Sequence, residues 1–258
     1  MDLNDNQLLE LLEFHYRKYN VLSFIEDDPI VIPHRFSKRQ DIEISGFFAA
    51  TLAWGLRKTI IAKSNELLSL MDNSPHDFMI NHEESDLKAM QNFKHRTFNY
   101  TDLLYFIHFL KTHYSVHDTL EVLFSTGIQK RENVKNGINN FYNRFVSGAH
   151  FPQRTRKHVA SPSKKSACKR LNMYLRWMVR NDKSGVDFGL WKEIKSDQLI
   201  CPCDVHVEKV ARKLALVTRN QVDWTMAEEL TQNLKKLDPV DPVKYDYALF
   251  GMGLNKEI

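Results

Sequence analysis

Residues 42–71 place the strongest constraint on what this chain can become. From Ile42 to Met71 the residues keep helical spacing. In the middle of the run Phe47, Phe48, Leu52, Trp54, Leu56, Ile60 and Ile61 leave almost no polar face. A helix that is apolar all round has no side to turn to water and belongs in the centre of a bundle. Gly55 interrupts the run, so the pattern predicts two helices joined across Ala53–Lys58.

The rest of the chain is also helical in period. Leu8, Leu9, Leu11, Leu12, His15, Tyr16 and Tyr19 trace a first amphipathic helix, and residues 101–124 and 134–146 read as helices in the interior. Residues 76–92 read as a polar helix or loop, and 147–166, with Gly, two Pro and no period, as a loop. Val207, Val210, Ala211 and Leu214 make an i, i+3, i+4, i+7 stripe. Thr225 and Glu228 suggest a capping box opening a helix through Leu237, and Asp241 followed by Pro242 a further helix start. No segment alternates with period two for long enough to make a strand. The expectation is an all-α fold, one unit over residues 1–258 with two helical lobes.

The longest apolar stretch, Phe47 to Leu56, is far short of the ~20 residues that span a bilayer. Residues Met1–Asp5 are acidic where a secretion signal is basic, and three cysteines cannot form a disulfide framework. These features predict a cytoplasmic protein with reduced thiols, no membrane partner and a monomeric state. Cys201, Cys203 and His206 lack the spacing and the fourth ligand of a zinc site, so neither a metal nor a cofactor is expected.

Charge is distributed unevenly. Residues 151–180 hold nine Lys/Arg and no Asp or Glu, against 27 basic and 32 acidic residues elsewhere. A basic strip on an acidic body is either a solvated helix face or a phosphate-binding surface. Leu171, Met173, Tyr174, Trp177 and Met178 interleave with it at helical spacing, so part of it packs into the core. A second cluster, Phe93 to Tyr100 with His95 and Arg96, combines aromatics with cations; it suits base stacking or, equally, an anchored surface loop.

Two stretches carry candidate chemistry. In Ser166-Ala-Cys-Lys169-Arg-Leu-Asn172 a lysine opens an apolar helix directly after the basic loop. In Cys203-Asp204-Val-His206-Val an aspartate stands just before the 207–214 stripe. Together they resemble the helix-hairpin-helix DNA glycosylase superfamily, which includes endonuclease III and the archaeal oxoguanine glycosylases. The 35-residue separation of Lys169 and Asp204 is similar to that of the archaeal enzymes. The chain is most similar to a bacterial family of comparable length known only as a domain of unknown function. The superfamily hairpin reads Leu-Pro-Gly-x-Gly; here Ser163-Lys-Lys-Ser-Ala-Cys168 has no glycine, and no cysteine follows Cys203 to hold an iron–sulfur cluster.

The resemblance implies a DNA repair enzyme that flips a damaged base out of the duplex, an oxidised purine being one candidate, and cleaves its N-glycosidic bond, with abasic-site lyase activity following. Lys169 would be the Schiff-base nucleophile and Asp204 the carboxylate that stabilises the cationic sugar. Taken alone, Asp204 is equally a helix N-cap. Trp54 stands where the superfamily places a gap-filling residue, with Arg57 and Lys58 beside it. Lys164 and Lys165 would grip phosphate in place of the hairpin glycines. Arg96, Arg170 and His206 complete the expected nucleic-acid contacts. The alternative is a non-catalytic DNA- or RNA-binding protein on the same scaffold.

Overall fold

In the computed structural model of the chain, which describes residues 3–258 and leaves Met1 and Asp2 of the acidic N-terminus outside, the apolar run splits where Gly55 stands. Helix α2 (Arg39–Leu52) is buried without interruption from Ile42 to Leu52, and α3 (Arg57–Ser69) follows after a four-residue turn. Gly55 makes that turn possible at a φ of +110°, which side-chain-bearing residues rarely adopt.

The remaining helices are α1 (Asp5–Tyr19), α4 (Pro75–Asn81), α5 (Glu84–Ala89), α6 (Tyr100–Tyr114), α7 (Glu121–Ser125), α8 (Lys135–Val146), α9 (Lys169–Val179), α10 (Val205–Lys213), α11 (Trp224–Leu237) and α12 (Asp246–Asn255). Short 3-10 turns fill the connections, and among the described residues there is no strand, only an isolated bridge between His95 and Phe98. The fold is all-α. No helix among those residues is long and apolar enough to cross a membrane.

Helix α2 packs against α3 and α9, and α12 packs against both α1 and α10. The α1–α12 approach depends on Gly251, where a Cβ would run into the Tyr19 ring. Aromatic rings fill the centre: Phe47 meets Phe106, Phe141 and Tyr174 at centroid distances of 5.6–5.7 Å.

Glu43 is fully buried on α2 inside this apolar mass. It survives there because every lone pair is used. Its carboxylate accepts from Arg39 Nε (3.1 Å), Thr119 Oγ1 (2.6 Å), Tyr114 Oη (2.8 Å), the Leu120 N–H (2.9 Å) and Trp191 Nε1 (2.8 Å). The carboxylate thereby ties α2 to the end of α6, the start of α7 and the segment after α9.

Two capping expectations need correction. Helix α11 starts at Trp224, and Asp223 caps it by accepting the Met226 N–H; Thr225 lies inside the first turn. Asp241 does precede a 3-10 turn, Pro242–Tyr245, but its carboxylate caps nothing because Arg180 takes both oxygens. The segment 101–124 is likewise two helices, with a turn after Tyr114.

While Arg39 keeps Glu121 and Thr119, replacing Glu43 by Ala leaves the Thr119, Tyr114 and Trp191 donors and the Leu120 N–H without an acceptor. It is expected to cost about 3–5 kcal/mol of stability, which chemical denaturation of the two proteins measures directly.

Candidate active site

A cavity of about 860 Å³ opens where the α2–α3 turn, the first residues of α9 and α10, the inner face of α12 and the 3-10 turn at Pro29–Val31 converge. Its walls are mostly apolar, with Trp54, Tyr247 and Phe250 supplying aromatic faces. Arg57, Lys169, Arg176, Asp28, Asp204 and Asp246 supply the charge. The size falls within the ~300–1,000 Å³ usual for small-molecule pockets.

Lys169 is the first residue of α9 and is partly exposed within the cavity. Its amine has no hydrogen bond or ion pair among the described residues. The turn before it is sharp: a 3-10 turn at Pro162–Lys164, then left-handed backbone at Lys165 (φ 59°) and Cys168 (φ 50°). The Cys168 thiol is buried, and burial pushes its pKa up to about 12, so it is not a competing nucleophile.

Asp204 is the N-cap of α10. Its Oδ1 accepts the N–H groups of His206 (2.8 Å) and Val207 (2.9 Å), and the helix N-terminus favours a negative charge there. The cap is one residue beyond the apolar wall and therefore lines the cavity as well. Of the other residues expected from the sequence, Trp54, Arg57 and His206 also line it. Arg57 lies over the Phe250 ring at 4.9 Å, and His206 meets the same ring edge-on.

The remaining expected contacts lie elsewhere. Lys58, Lys164 and Lys165 are exposed outside the cavity lining, with no ion pair among the described residues. Arg96 is exposed beside the α2–α3 turn, close enough that a Cβ on Gly55 would come within 2.8 Å of its Nη1. Arg170 differs from expectation. Its guanidinium donates to the Thr51 and His158 carbonyls and lies over the Trp54 ring at 4.9 Å, so it is spent on the fold rather than offered to a ligand. The same contacts, with His95 edge-on and His158 stacked, hold the Trp54 ring in place. Leu56, next to it at the tip of the turn, is 78% exposed.

The basic strip is also less free than its composition suggests. Arg176 and Arg180 are buried and paired with Asp187, Asp246, Asp182 and Asp241. Arg154 is paired with Asp102, leaving Arg156, Lys157, Lys164, Lys165, Lys169 and the carbonyl-bound Arg170 without carboxylate partners among the described residues. Asp102 anchors the first part of the 151–166 segment, from Arg154 to His158. It also accepts from Thr155 Oγ1 (2.8 Å) and the Asn99 N–H (3.0 Å), and His158 Nε2 lies 3.2 Å away.

Sequence reasoning missed Asp246 and Arg176 as parts of this site. Asp246 is the only charged residue of α12, a lone carboxyl in an otherwise apolar helix, and that was the available signal. Burial raises its pKa to about 6; Arg176 and Lys169 pull it down while Asp204 and Asp187 push it up.

The model of a family described as protein of unknown function, DUF2400, matches residues 28–255, and the chain belongs to that family. Neither a curated protein nor a solved structure matches it.

Burial would raise the Asp102 pKa, but His158, the Asn99 N–H and Thr155 outweigh it and hold the value down at about 2. A depressed carboxyl pKa contributes stability that is present above the unfolded value of 3.8 and lost as pH falls through about 2. Asp102→Asn is therefore expected to lower stability by about 2 kcal/mol near neutral pH. The gap should close as unfolding is followed from pH 4 downward.

Proposed function

We propose that the protein is a DNA glycosylase with abasic-site lyase activity, acting on a flipped base held in this cavity. The observation that carries the reading is that an unpaired lysine amine, Lys169, and a helix-capping carboxylate, Asp204, line one apolar cavity large enough for a nucleobase. Cleaving an N-glycosidic bond leaves cationic charge on the sugar. Asp204, held by two backbone N–H groups, is oriented to stabilise it. An amine free of ion pairs is available to attack C1′ and form a Schiff base, from which β-elimination follows.

The cations Lys58, Arg96, Lys164 and Lys165, without carboxylate partners among the described residues, supply the phosphate contacts that a flipped-out nucleotide requires. Trp54 is held by its neighbours, so exposed Leu56 is the better wedge; apolar side chains at such positions unstack a base step. Both left-handed residues, Lys165 and Cys168, supply in this chain the reversals for which the superfamily hairpin uses glycine.

One feature favours the second reading, a binding protein without catalysis. The segment before Lys169 forms 3-10 turns, Gln153–His158 and Pro162–Lys164, rather than an α-helix leading into the hairpin.

Borohydride trapping on duplexes that carry an abasic site, 8-oxoguanine, uracil or thymine glycol separates the two. The expected result is a covalent adduct that Lys169→Ala abolishes. Asp204→Asn should lower base release by about 100- to 1,000-fold with little loss of stability, because Asn caps a helix as well as Asp does. Salt-dependent duplex binding with no adduct and no released base on any of these substrates would establish the binding protein instead.

A further inference from the structure

Two guanidinium groups at the end of α9 face four carboxyl groups. Arg180 pairs with Asp182, Asp187 and Asp241 at 2.7–2.9 Å. Arg176 pairs with Asp246 and lies 3.4 Å, through Nε, from the same Asp187. Negative charge is in surplus, and in a buried cluster such a surplus is relieved by protonating one carboxyl. Asp182, Asp187 and Asp241 all share Arg180, whereas Asp246 has only Arg176, which it divides with Asp187. Asp246 is also the member of the four that lines the cavity, beside Lys169 and Asp204.

Resting on the glycosylase reading above, we infer that Asp246 is the general acid of the site and delivers its proton to the departing base. The division of labour follows from the surroundings. The Asp204 carboxylate is fed by two N–H groups at a helix N-terminus, which suits the ionised form. Asp246 is buried and receives a contact from the Cys201 thiol at 3.8 Å. Arg176, Lys169, Asp204, Asp187 and Cys201 act on it directly, while Arg57, His206, Asp28, Cys203 and Tyr247 complete the charged and titratable lining of the cavity. Two carboxyl groups in one site whose environments favour opposite protonation states make an acid and an electrostatic stabiliser. The raised pKa of about 6 leaves a usable neutral fraction near neutral pH.

In the step, the C1′–N bond breaks and its electron pair goes to the base nitrogen. The Asp246 carboxyl proton passes to the base, which leaves neutral. Lys169 Nζ, entering as the neutral amine, bonds to C1′ through its lone pair, and the proton shed by the alkylated nitrogen returns to the Asp246 carboxylate. The acid is regenerated, and no external reagent is consumed.

The test compares two activities of one protein. Single-turnover base release is measured on the 8-oxoguanine, uracil and thymine glycol duplexes, and trapping on a duplex with a ready-made abasic site, where no base departs. Asp246→Asn is expected to slow release of whichever base the wild type excises by about 100-fold or more, with a far smaller effect on trapping. Wild-type release should fall as pH rises through about 6, since the neutral acid is the active form. Release at the wild-type rate by Asp246→Asn, or equal loss of release and trapping, overturns the inference. Asp246→Glu keeps an acid beside Arg176 and covers the case in which the asparagine variant does not fold; partial release with a shifted pH midpoint supports the role, and an unshifted midpoint overturns it. Wild-type trapping with no base released from any duplex overturns the inference and leaves the Lys169 reading standing. Absence of trapping overturns both.

Discussion

The buried arginines of α9 set the terms for the rest of the molecule, because an uncompensated guanidinium in the interior costs several kcal/mol and must be surrounded by partners. Arg176 lies 4.1 Å over the Tyr247 ring and pairs with Asp246, which fixes α9 against α12. Arg180 donates to the Tyr16 hydroxyl and to Asp187 and Asp241, which brings in α1, the segment after α9 and the turn before α12. Lys169 stands two turns earlier on the same helix. Its place in the cavity is therefore determined by ion pairs further along α9, one of which, Arg176 with Asp246, itself borders the cavity, and α12 cannot shift without breaking that buried pair.

Local signals carried a large part of the reading, because the features concerned are set by near neighbours. The break at Gly55, the start of α9 at Lys169 and the Asp204 cap each depend on a few adjacent residues, and each was legible. The role of Arg176 and Arg180 was not. Their spacing along the basic strip is that of a solvated face, and only carboxylates supplied from residues 182–246 turn them inward. The α11 cap went astray for a similar reason: Asp223 and Thr225 are both competent, and Asp223 takes the position because Arg219 Nε also holds its carboxylate at 2.7 Å. Asp246 was invisible as a site residue because nothing near it in the chain shows that α12 faces Lys169.

The hairpin before Lys169 illustrates how chemistry and backbone trade against each other. Left-handed backbone at non-glycine residues costs on the order of 1–2 kcal/mol each. At Lys165 and Cys168 the surroundings impose it: Cys168 is buried, with its N–H bonded to Ser166 Oγ, and Ser161 and Asn139 tie down the 3-10 turn. In exchange the chain places the Lys165 side chain at a turn position where a glycine would adopt the same backbone without strain. A phosphate bound there would meet ammonium groups rather than a cradle of amides, a looser and more salt-sensitive form of recognition.

The close contact of Gly251 with Tyr19 has a temporal consequence. Helix α12 follows all the other helices during synthesis, yet it seats α1, covers Arg176 and forms a wall of the cavity. A nascent chain therefore carries Arg176 without its α12 partner until residue 246 has left the ribosome. The first helix must likewise wait for a groove built from residues more than two hundred positions later. The cavity wall is completed only when Asp246, Tyr247, Phe250 and Leu254 are in place, so a partly made copy holds no finished site with which to engage a ligand.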